Sequence, residues 1–195
     1  MIQRMGPDAP EAPCNVVLVG FMGAGKSTVG RLLARRLGLC FVETDDMITA
    51  REGTSIPEIF TERGEAHFRA LEASVLDALG DKHGHVIATG GGFPCRPGVM
   101  ERLKALGTVV WLAAEFDALY ERASRVGGRP MLAGRSREEA AALYEARKAS
   151  YSQAHVAVDA TRLGADTVVS RILRHLRARE RAKREAAGVG GRPPS

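Results

Sequence analysis

The residues with the clearest chemical potential are the glycines, lysine and serine of GFMGAGKS, residues 20–27. Their spacing is GxxxxGKS, and the motif stands between a short apolar segment and a helical pattern, as a phosphate-binding loop must. Glycines let the backbone turn its N–H groups toward an anion, and the following helix adds the positive end of its dipole. We therefore expect Lys26 to reach the β- and γ-phosphates of a nucleotide and the Ser27 hydroxyl to coordinate Mg²⁺.

A phosphate loop does not by itself identify the phosphate acceptor, since GTPases, motor ATPases and small-molecule kinases all share it. No NKxD-like guanine motif is visible in the sequence, which argues against a GTPase. All the patterned elements fit within residues 14–177, which favours a compact nucleoside or metabolite kinase.

An acceptor site needs a group that orients a hydroxyl, donors that fix the acceptor, and a cover that excludes water. Asp45 and Asp46 follow a predicted strand, at the edge where open α/β sheets bind ligands, although an Asp pair there can equally cap a helix. Three glycines, 90–92, end another predicted strand and would let a ligand approach the backbone closely, or form a plain turn.

Three arginines are further candidates, each with a plainer alternative. Arg69 lies in HFRALE, where it could pair with Glu65 or Glu72 at helical spacing. Arg129 lies in a polar, Arg- and Gly-rich stretch, and Arg147 on the next helical pattern. Taken singly, each could be an ordinary surface residue.

Short apolar segments alternate with helical patterns along the chain, which predicts βαβ units and a parallel sheet with helices on both faces. A helix follows the phosphate loop and stops at Gly38, and a last helix buries residues between Val168 and Leu176. The predicted strands are 14–19, 40–43, 85–89, 108–112 and 155–159, and the other helices are 45–52, 57–63, 65–79, 97–106, 115–125 and 137–152. The predicted organisation is a flexible arm (1–13), one domain (14–177) with a helical lobe (45–80) and a lid (125–137), and a basic, disordered tail (178–195).

Charge and composition narrow the class of protein. The net charge is +5, but residues 171–195 alone carry eight Lys or Arg and two Glu, so the rest of the chain is close to neutral and lacks the basic face of a nucleic-acid-binding domain. No apolar run approaches the roughly 20 residues of a membrane span, and the first residues lack the apolar region of a secretory signal. Cys14, Cys40 and Cys95 form no metal-ligand or disulfide pattern, so we expect free thiols in the reducing cytoplasm. We expect, separately, a monomeric enzyme.

Several motifs in order resemble those of the shikimate kinases, over about four-fifths of the chain. GFMGAGKSTVGRLLA is similar to that family's phosphate loop and first helix, and ETDDMI, GTSIPEIF and GEAHFRALE to its shikimate-binding segment. TGGG, RPML and ARKASYSQAH resemble its later motifs. The resemblance implies ATP- and Mg²⁺-dependent phosphorylation of the shikimate 3-hydroxyl in aromatic amino-acid biosynthesis. It also implies an α/β fold of the nucleoside monophosphate kinase type: three layers, with five parallel strands in the order 2-3-1-4-5.

The resemblance also implies roles for individual residues. Asp45 would orient or deprotonate the acceptor hydroxyl, Arg69 and Arg147 would grip the carboxylate, and Arg129 would reach the phosphates from the lid. Lys26, Asp45 and Arg129 are thus the implied catalytic residues. The implied nucleotide-binding residues are Gly23, Ala24, Gly25, Lys26, Ser27, Thr28, Arg122 (facing the adenine) and Arg129. The implied shikimate-binding residues are Asp45, Phe60, Phe68, Arg69, Gly90, Gly91, Gly92 and Arg147.

Two positions depart from the family pattern. Glu43-Thr44-Asp45 stands where the family usually has Asp-x-Asp, so Glu43 would act on Mg²⁺ through water with a side chain one methylene longer. If the strand continued to residue 45, Glu43 and Asp45 would point to the same side. RPML replaces the usual RPLL, a nearly volume-conserving change.

Two other functions remain open at this level. A different small-metabolite kinase, such as a gluconate kinase, would share the fold, although the Arg69/Arg147 pair and FRALE favour shikimate. A kinase-like module that senses a metabolite without chemistry is the second alternative, but Lys26, Ser27, Asp45 and Arg129 are all present.

The phosphate-loop hypothesis makes a direct prediction. Lys26→Ala should abolish phosphoryl transfer from ATP and leave the fold intact, because the lysine neutralises charge that builds up during transfer. Turnover is measured beside circular dichroism and thermal unfolding; unimpaired turnover in the folded variant would reject the hypothesis.

Overall fold

The fold is built on a five-stranded, all-parallel sheet. The computed structural model describes residues 15–125 and 136–186. Within them the strand order is β2-β3-β1-β4-β5, which confirms the expected order 2-3-1-4-5. The strands are β1 (Asn15–Val19), β2 (Cys40–Glu43), β3 (His85–Ala88), β4 (Gly107–Ala113) and β5 (Val156–Asp159).

Seven α-helices accompany the sheet in the described residues. The predicted break at Gly64 is present: its φ of 78° and ψ of 174° interrupt α3 between the two predicted helices. A short 3-10 helix (Phe93–Cys95) precedes α4 and was not predicted. The helices are α1 (Lys26–Leu37), α2 (Thr44–Glu52), α3 (Ile56–Leu79), α4 (Val99–Leu106), α5 (Phe116–Arg125), α6 (Arg137–Tyr151) and α7 (Ala165–Ala186).

The core is mostly aliphatic. All five residues of the central strand β1 are buried, which fits a parallel strand covered on both faces. Helices α1 and α7 pack together, and α4 packs against β1 and β4. Because the sheet is all parallel, its strand ends and the helix starts that follow them meet at one edge, and this edge carries the candidate site.

The C-terminal helix is longer than the sequence analysis predicted. The apolar stripe does end near Leu176, but α7 continues to Ala186, so residues 178–186 are helical and not disordered. The segment is rich in Arg, Ala, Glu and Lys, which favour helix without any burial, and Lys183 pairs with Glu180 one turn away. The predicted arm (1–13), most of the lid and residues 187–195 lie outside the described residues.

None of the helices in the described part of the chain combines the length and apolar character needed to cross a membrane.

The exposed end of α7 should contribute little to stability. Every residue from Glu180 to Ala186 is exposed, so deleting 180–195 should change the melting temperature by less than about 2 °C, since exposed substitutions typically stay within about 0.5 kcal/mol. Ile172→Ala is the matched control on the same helix: it empties a fully buried site and should cost about 2–5 kcal/mol. A loss of several degrees on truncation would show that this end of α7 packs.

Candidate active site

Helix α1 begins at the sheet edge with an N-terminus that no described side chain caps. Its N-cap is Gly25, and its first turn holds no acidic residue. By contrast, α3 and α6 each begin with a complete capping box, formed by Ser55 with Glu58 and by Ser136 with Glu139. An uncapped helix keeps its free N–H groups and its positive dipole end for an external anion. The N–H groups at this end belong to the predicted nucleotide-binding residues Lys26, Ser27 and Thr28.

The loop before α1 folds closely against a neighbouring helix. At Gly23, φ is 80°, and a Cβ there would lie 2.3 Å from the carbonyl oxygen of Leu119 in α5. Only glycine fits this position, which explains the motif's residue type. Lys26 reaches back over the loop, and its Nζ donates to the carbonyl oxygens of Gly20 (2.7 Å) and Phe21 (3.0 Å).

The Ser27 hydroxyl and Glu43 are in direct contact. Ser27 donates to Oε1 of Glu43 at 2.5 Å, and Arg31 donates to Oε2 at 2.8 Å. The Arg31 guanidinium in turn lies 4.7 Å from the centroid of the Phe41 ring. Both oxygens of the longer carboxylate are therefore held at the start of α1, beside the residue expected to bind Mg²⁺.

Asp45 lies in the first turn of α2 and enters the adjacent cavity. Burial raises the pKa of its carboxyl, nearby Lys26 lowers it, and Glu43 raises it further. The condition under which strand alternation would align Glu43 with Asp45 is not met, because β2 ends at Glu43 and Thr44 begins the helix, as the predicted strand 40–43 and helix 45–52 imply. Neither Asp45 nor Asp46 caps α2, whose N-cap is Glu43 without a side-chain bond.

Because Gly90 has no side chain, the carboxylate of Asp45 can lie directly beside it. A Cβ on Gly90 would lie 2.4 Å from Oδ1 of Asp45. The Gly90 N–H donates to the Thr44 hydroxyl at 2.8 Å, so this glycine lines the cavity while its own amide is already bonded.

Most of the predicted acceptor-site residues line one cavity of about 500 Å³. Its volume suits a small metabolite. Phe60 and Phe68 form the expected apolar wall, with ring centroids 4.6 Å apart. The residues that line it are Met22, Lys26, Ser27, Asp45, Ile56, Phe60, Phe68, Arg69, Glu72, Thr89, Gly90, Gly91, Gly92 and Arg147.

The two arginines of the cavity differ in their electrostatic environment. Arg69 forms ion pairs with Glu65 (Nη2–Oε1, 2.7 Å) and Glu72 (Nη1–Oε2, 2.8 Å), as its helical spacing from them suggested. It also lines the cavity. Arg147 is only 9% exposed and forms no ion pair with any described residue. A buried, unpaired guanidinium beside an open cavity favours an anionic ligand.

Sequence reasoning did not assign four of the residues that line the cavity, namely Met22, Ile56, Glu72 and Thr89. Glu72 was visible as a helical partner of Arg69, but its 4% exposure follows only from the packing of α3. Burial raises the pKa of its carboxyl, and Arg69 and then Arg96 lower it.

Arg122, a predicted nucleotide contact, is not among the residues that line this cavity. Arg122 in α5 donates to the carbonyl oxygens of Ala160 (3.0 Å) and Thr161, just after β5, so it lies near the same sheet edge. Arg129 lies outside the described residues.

Comparison with known proteins agrees with this geometry. The family model of shikimate kinase matches residues 22–177. A shikimate kinase of Persephonella marina is 39% identical over 163 residues, which cover 84% of this chain and 99% of the relative. One from Geobacter sulfurreducens is 43% identical over 164 residues, covering 84% and 91%.

Solved structures give the same result. A shikimate kinase from Acinetobacter baumannii in complex with shikimate superposes with a TM-score of 0.82 at 35% identity, covering 87% of this chain and 96% of that one. A gluconokinase from Sinorhizobium meliloti reaches a TM-score of 0.52 at 18% identity, covering 87% and 99%, which shows a shared fold alone. The chain therefore belongs to the shikimate kinase family.

Proposed function

We propose that this chain transfers the γ-phosphoryl group of ATP to the 3-hydroxyl of shikimate, giving shikimate 3-phosphate and ADP in aromatic amino-acid biosynthesis. The observation that carries the proposal is the cavity itself. It joins Lys26 of the phosphate loop, the partly buried carboxylate of Asp45 and the guanidinium of Arg147, which has no ion pair with a described residue, in one space. An acceptor that carries both a hydroxyl and a carboxylate satisfies Asp45 and Arg147 together.

On the nucleotide side, the uncapped start of α1 and Lys26 would hold the phosphates. The glycine loop and the helix dipole stabilise the charge that spreads over the transferring group. We propose that Arg122 contacts the adenine and that Arg129 reaches the phosphates, as the family resemblance implies.

The oxygen donors of Ser27 and Glu43 fit Mg²⁺, which prefers hard oxygen ligands and keeps several of its waters. When bound, the ion neutralises charge on the phosphates. We propose that Ser27 coordinates it directly and Glu43 through water. Arg31 would keep the longer carboxylate in place by holding its second oxygen.

On the acceptor side, we propose that Asp45 accepts the proton of the attacking hydroxyl. The O–H bond breaks as the new O–P bond forms, and the proton passes to the carboxylate while ADP leaves with the electron pair. The raised pKa of Asp45 suits this role, because a base is most effective when its pKa lies nearer the working pH.

Arg147 and Arg69 would hold the shikimate carboxylate from two sides. Arg147 offers an unpaired charge, whereas Arg69 would exchange its bond with the exposed Glu65 for the substrate and keep Glu72 as a support. The adjacent, mutually tilted rings of Phe60 and Phe68 would cover the carbocycle.

We also propose a monomeric enzyme in the cytoplasm that does not bind nucleic acid. The cavity is formed by one chain, and Cys40 and Cys95 are free thiols.

An assay of ADP release tests the proposed function. Release should require shikimate, and gluconate at equal concentration should not replace it. ADP release that is independent of the acceptor, or a preference for gluconate, would overturn the proposal.

Asp45→Asn should reduce kcat by about 10²–10⁴-fold, the usual worth of a general base. It should also raise the melting temperature at neutral pH. Because burial raises the pKa of folded Asp45, ionising this carboxyl opposes folding above that pKa, and the neutral amide removes the penalty. The gain in stability should vanish at low pH, where both side chains are uncharged. Normal turnover would contradict the role, and equal melting temperatures at neutral pH would contradict the electrostatic account.

Glu43→Gln should raise the Mg²⁺ concentration needed for half-maximal rate and leave the KM for shikimate unchanged. Glu43→Asp is the matched control, since it keeps the charge and restores the family's usual length. The measurement is a Mg²⁺ titration at saturating ATP beside a shikimate titration. If Glu43→Gln behaves as the parent, Glu43 has no part in the metal site.

Gly90→Ala should abolish shikimate turnover, because its Cβ would lie 2.4 Å from Oδ1 of Asp45 and would push that carboxylate away. Gly164→Ala is the control: a Cβ there meets nothing within 4 Å, and its backbone has no positive φ. Steady-state kinetics of both variants check this. Full activity in Gly90→Ala would show that Asp45 need not keep its position.

A further inference from the structure

The glycine turn at the cavity, residues 90–92, depends on hydrogen bonds for its conformation. Consecutive glycines adopt positive and negative φ with similar ease, so side-chain sterics do not fix the direction of their peptide groups. The first peptide is held because the Gly90 N–H donates to the Thr44 hydroxyl at 2.8 Å. The second is held because the Gly90 carbonyl accepts from the Phe93 N–H at 3.1 Å.

The third peptide, between Gly91 and Gly92, is held by Tyr151. The phenol donates to the Gly91 carbonyl oxygen at 2.7 Å, and the Cys95 thiol is a second, weaker donor to the same oxygen at 3.8 Å. Tyr151 is the last residue of α6, is fully buried, and has its ring 6.1 Å from that of Trp111. It does not line the cavity, so the hydroxyl reaches the turn from the protein side.

This bond also fixes the neighbouring amide. No described peptide is cis, and in a trans peptide the C=O and N–H groups point in opposite directions. With the Gly91 carbonyl turned toward Tyr151, the Gly92 N–H turns toward the cavity that Gly91 and Gly92 line. Among the described residues, neither glycine's N–H has an acceptor within hydrogen-bonding distance.

We propose that Tyr151 is a positioning residue for the acceptor: by holding the Gly91 carbonyl, it aims the Gly92 N–H at shikimate. The inference rests on the proposed function, because it takes shikimate as the occupant of the cavity. Burial raises the pKa of the phenol, so Tyr151 stays protonated and remains a donor throughout the working pH range.

Helix α6 therefore carries two residues that act on the acceptor, one by direct contact and one through the glycine turn. Arg147 lies one turn before Tyr151 on the same face, and a Cβ on Gly92 would lie 3.1 Å from its Nη2. The helix thus brings a charged donor to the cavity and fixes a backbone donor beside it.

Tyr151→Phe tests the proposal, because it keeps the ring and removes the hydroxyl. The chain offers a matched control in Tyr144→Phe. Tyr144 is on the same helix and 6% exposed, and its hydroxyl donates to a backbone carbonyl, that of Ala114, at 2.9 Å. Both variants lose one buried bond of the same kind, so both should lower the melting temperature.

Only Tyr151→Phe should change acceptor binding. We expect its KM for shikimate to rise about tenfold, the effect of one lost or misdirected hydrogen bond, while the KM for ATP stays unchanged. Tyr144→Phe should leave both constants unchanged. Equal KM values for shikimate in the two variants, or a matching rise in the KM for ATP, would overturn the proposal.

A second measurement needs no variant. In the ¹⁵N-labelled full chain, the Gly92 amide resonance should shift when shikimate is added, and the amide of Gly164, which does not line the cavity, should not. An unmoved Gly92 resonance at saturating shikimate would overturn the proposal even if Tyr151→Phe failed to fold. Failure of the proposed function is distinguishable, because the parent chain would then release no ADP in response to shikimate.

Discussion

The site depends on the close approach of Asp45 to the backbone of Gly90. A side chain at position 90 would occupy the space of the Asp45 carboxylate, since its Cβ would lie 2.4 Å from Oδ1. The same segments are tied together by the bond from the Gly90 N–H to the Thr44 hydroxyl. These two contacts bring the ends of β2 and β3 together, and they set the distance between the acceptor carboxylate and the glycine turn. The phosphate loop, at the end of the adjacent strand β1, completes the cavity.

Several features of this edge oppose stability and serve binding. Among the described residues, the carboxyl of Asp45 is partly buried, the guanidinium of Arg147 is buried without an ion pair, and α1 starts without a side-chain cap. By contrast, helices α3 and α6 are each stabilised at their N-terminus by a capping box. Local departures of this kind are expected where a site is prepared for charged ligands. Phosphates would satisfy the start of α1, and a substrate carboxylate would satisfy Arg147.

Much of this architecture could be predicted from the sequence because the signals are local. The glycine loop, the alternation of apolar segments with helical patterns, and the break at Gly64 all depend on neighbouring residues. The predicted strand 40–43 and helix 45–52 agree with β2 and α2 to within one residue, so the strand does not continue to Asp45. The contact of Glu43 with Ser27 joins two separate segments, and the sequence did not show it. Nor could it show that α7 continues through an exposed, polar segment to Ala186, because the apolar stripe that marks a helix ends earlier. The burial of Glu72 and the bond of Tyr151 to Gly91 depend on contacts between distant segments, which periodicity does not encode.

The central claim is that one cavity recognises an acceptor by its hydroxyl and its carboxylate together. The most direct test compares shikimate with its methyl ester, which keeps every hydroxyl and removes the negative charge that Arg147 and Arg69 would bind. The account predicts a fall in kcat/KM of at least about 100-fold for the ester, because a buried charged donor would be left without its partner. Equal kcat/KM values for the acid and the ester would contradict it.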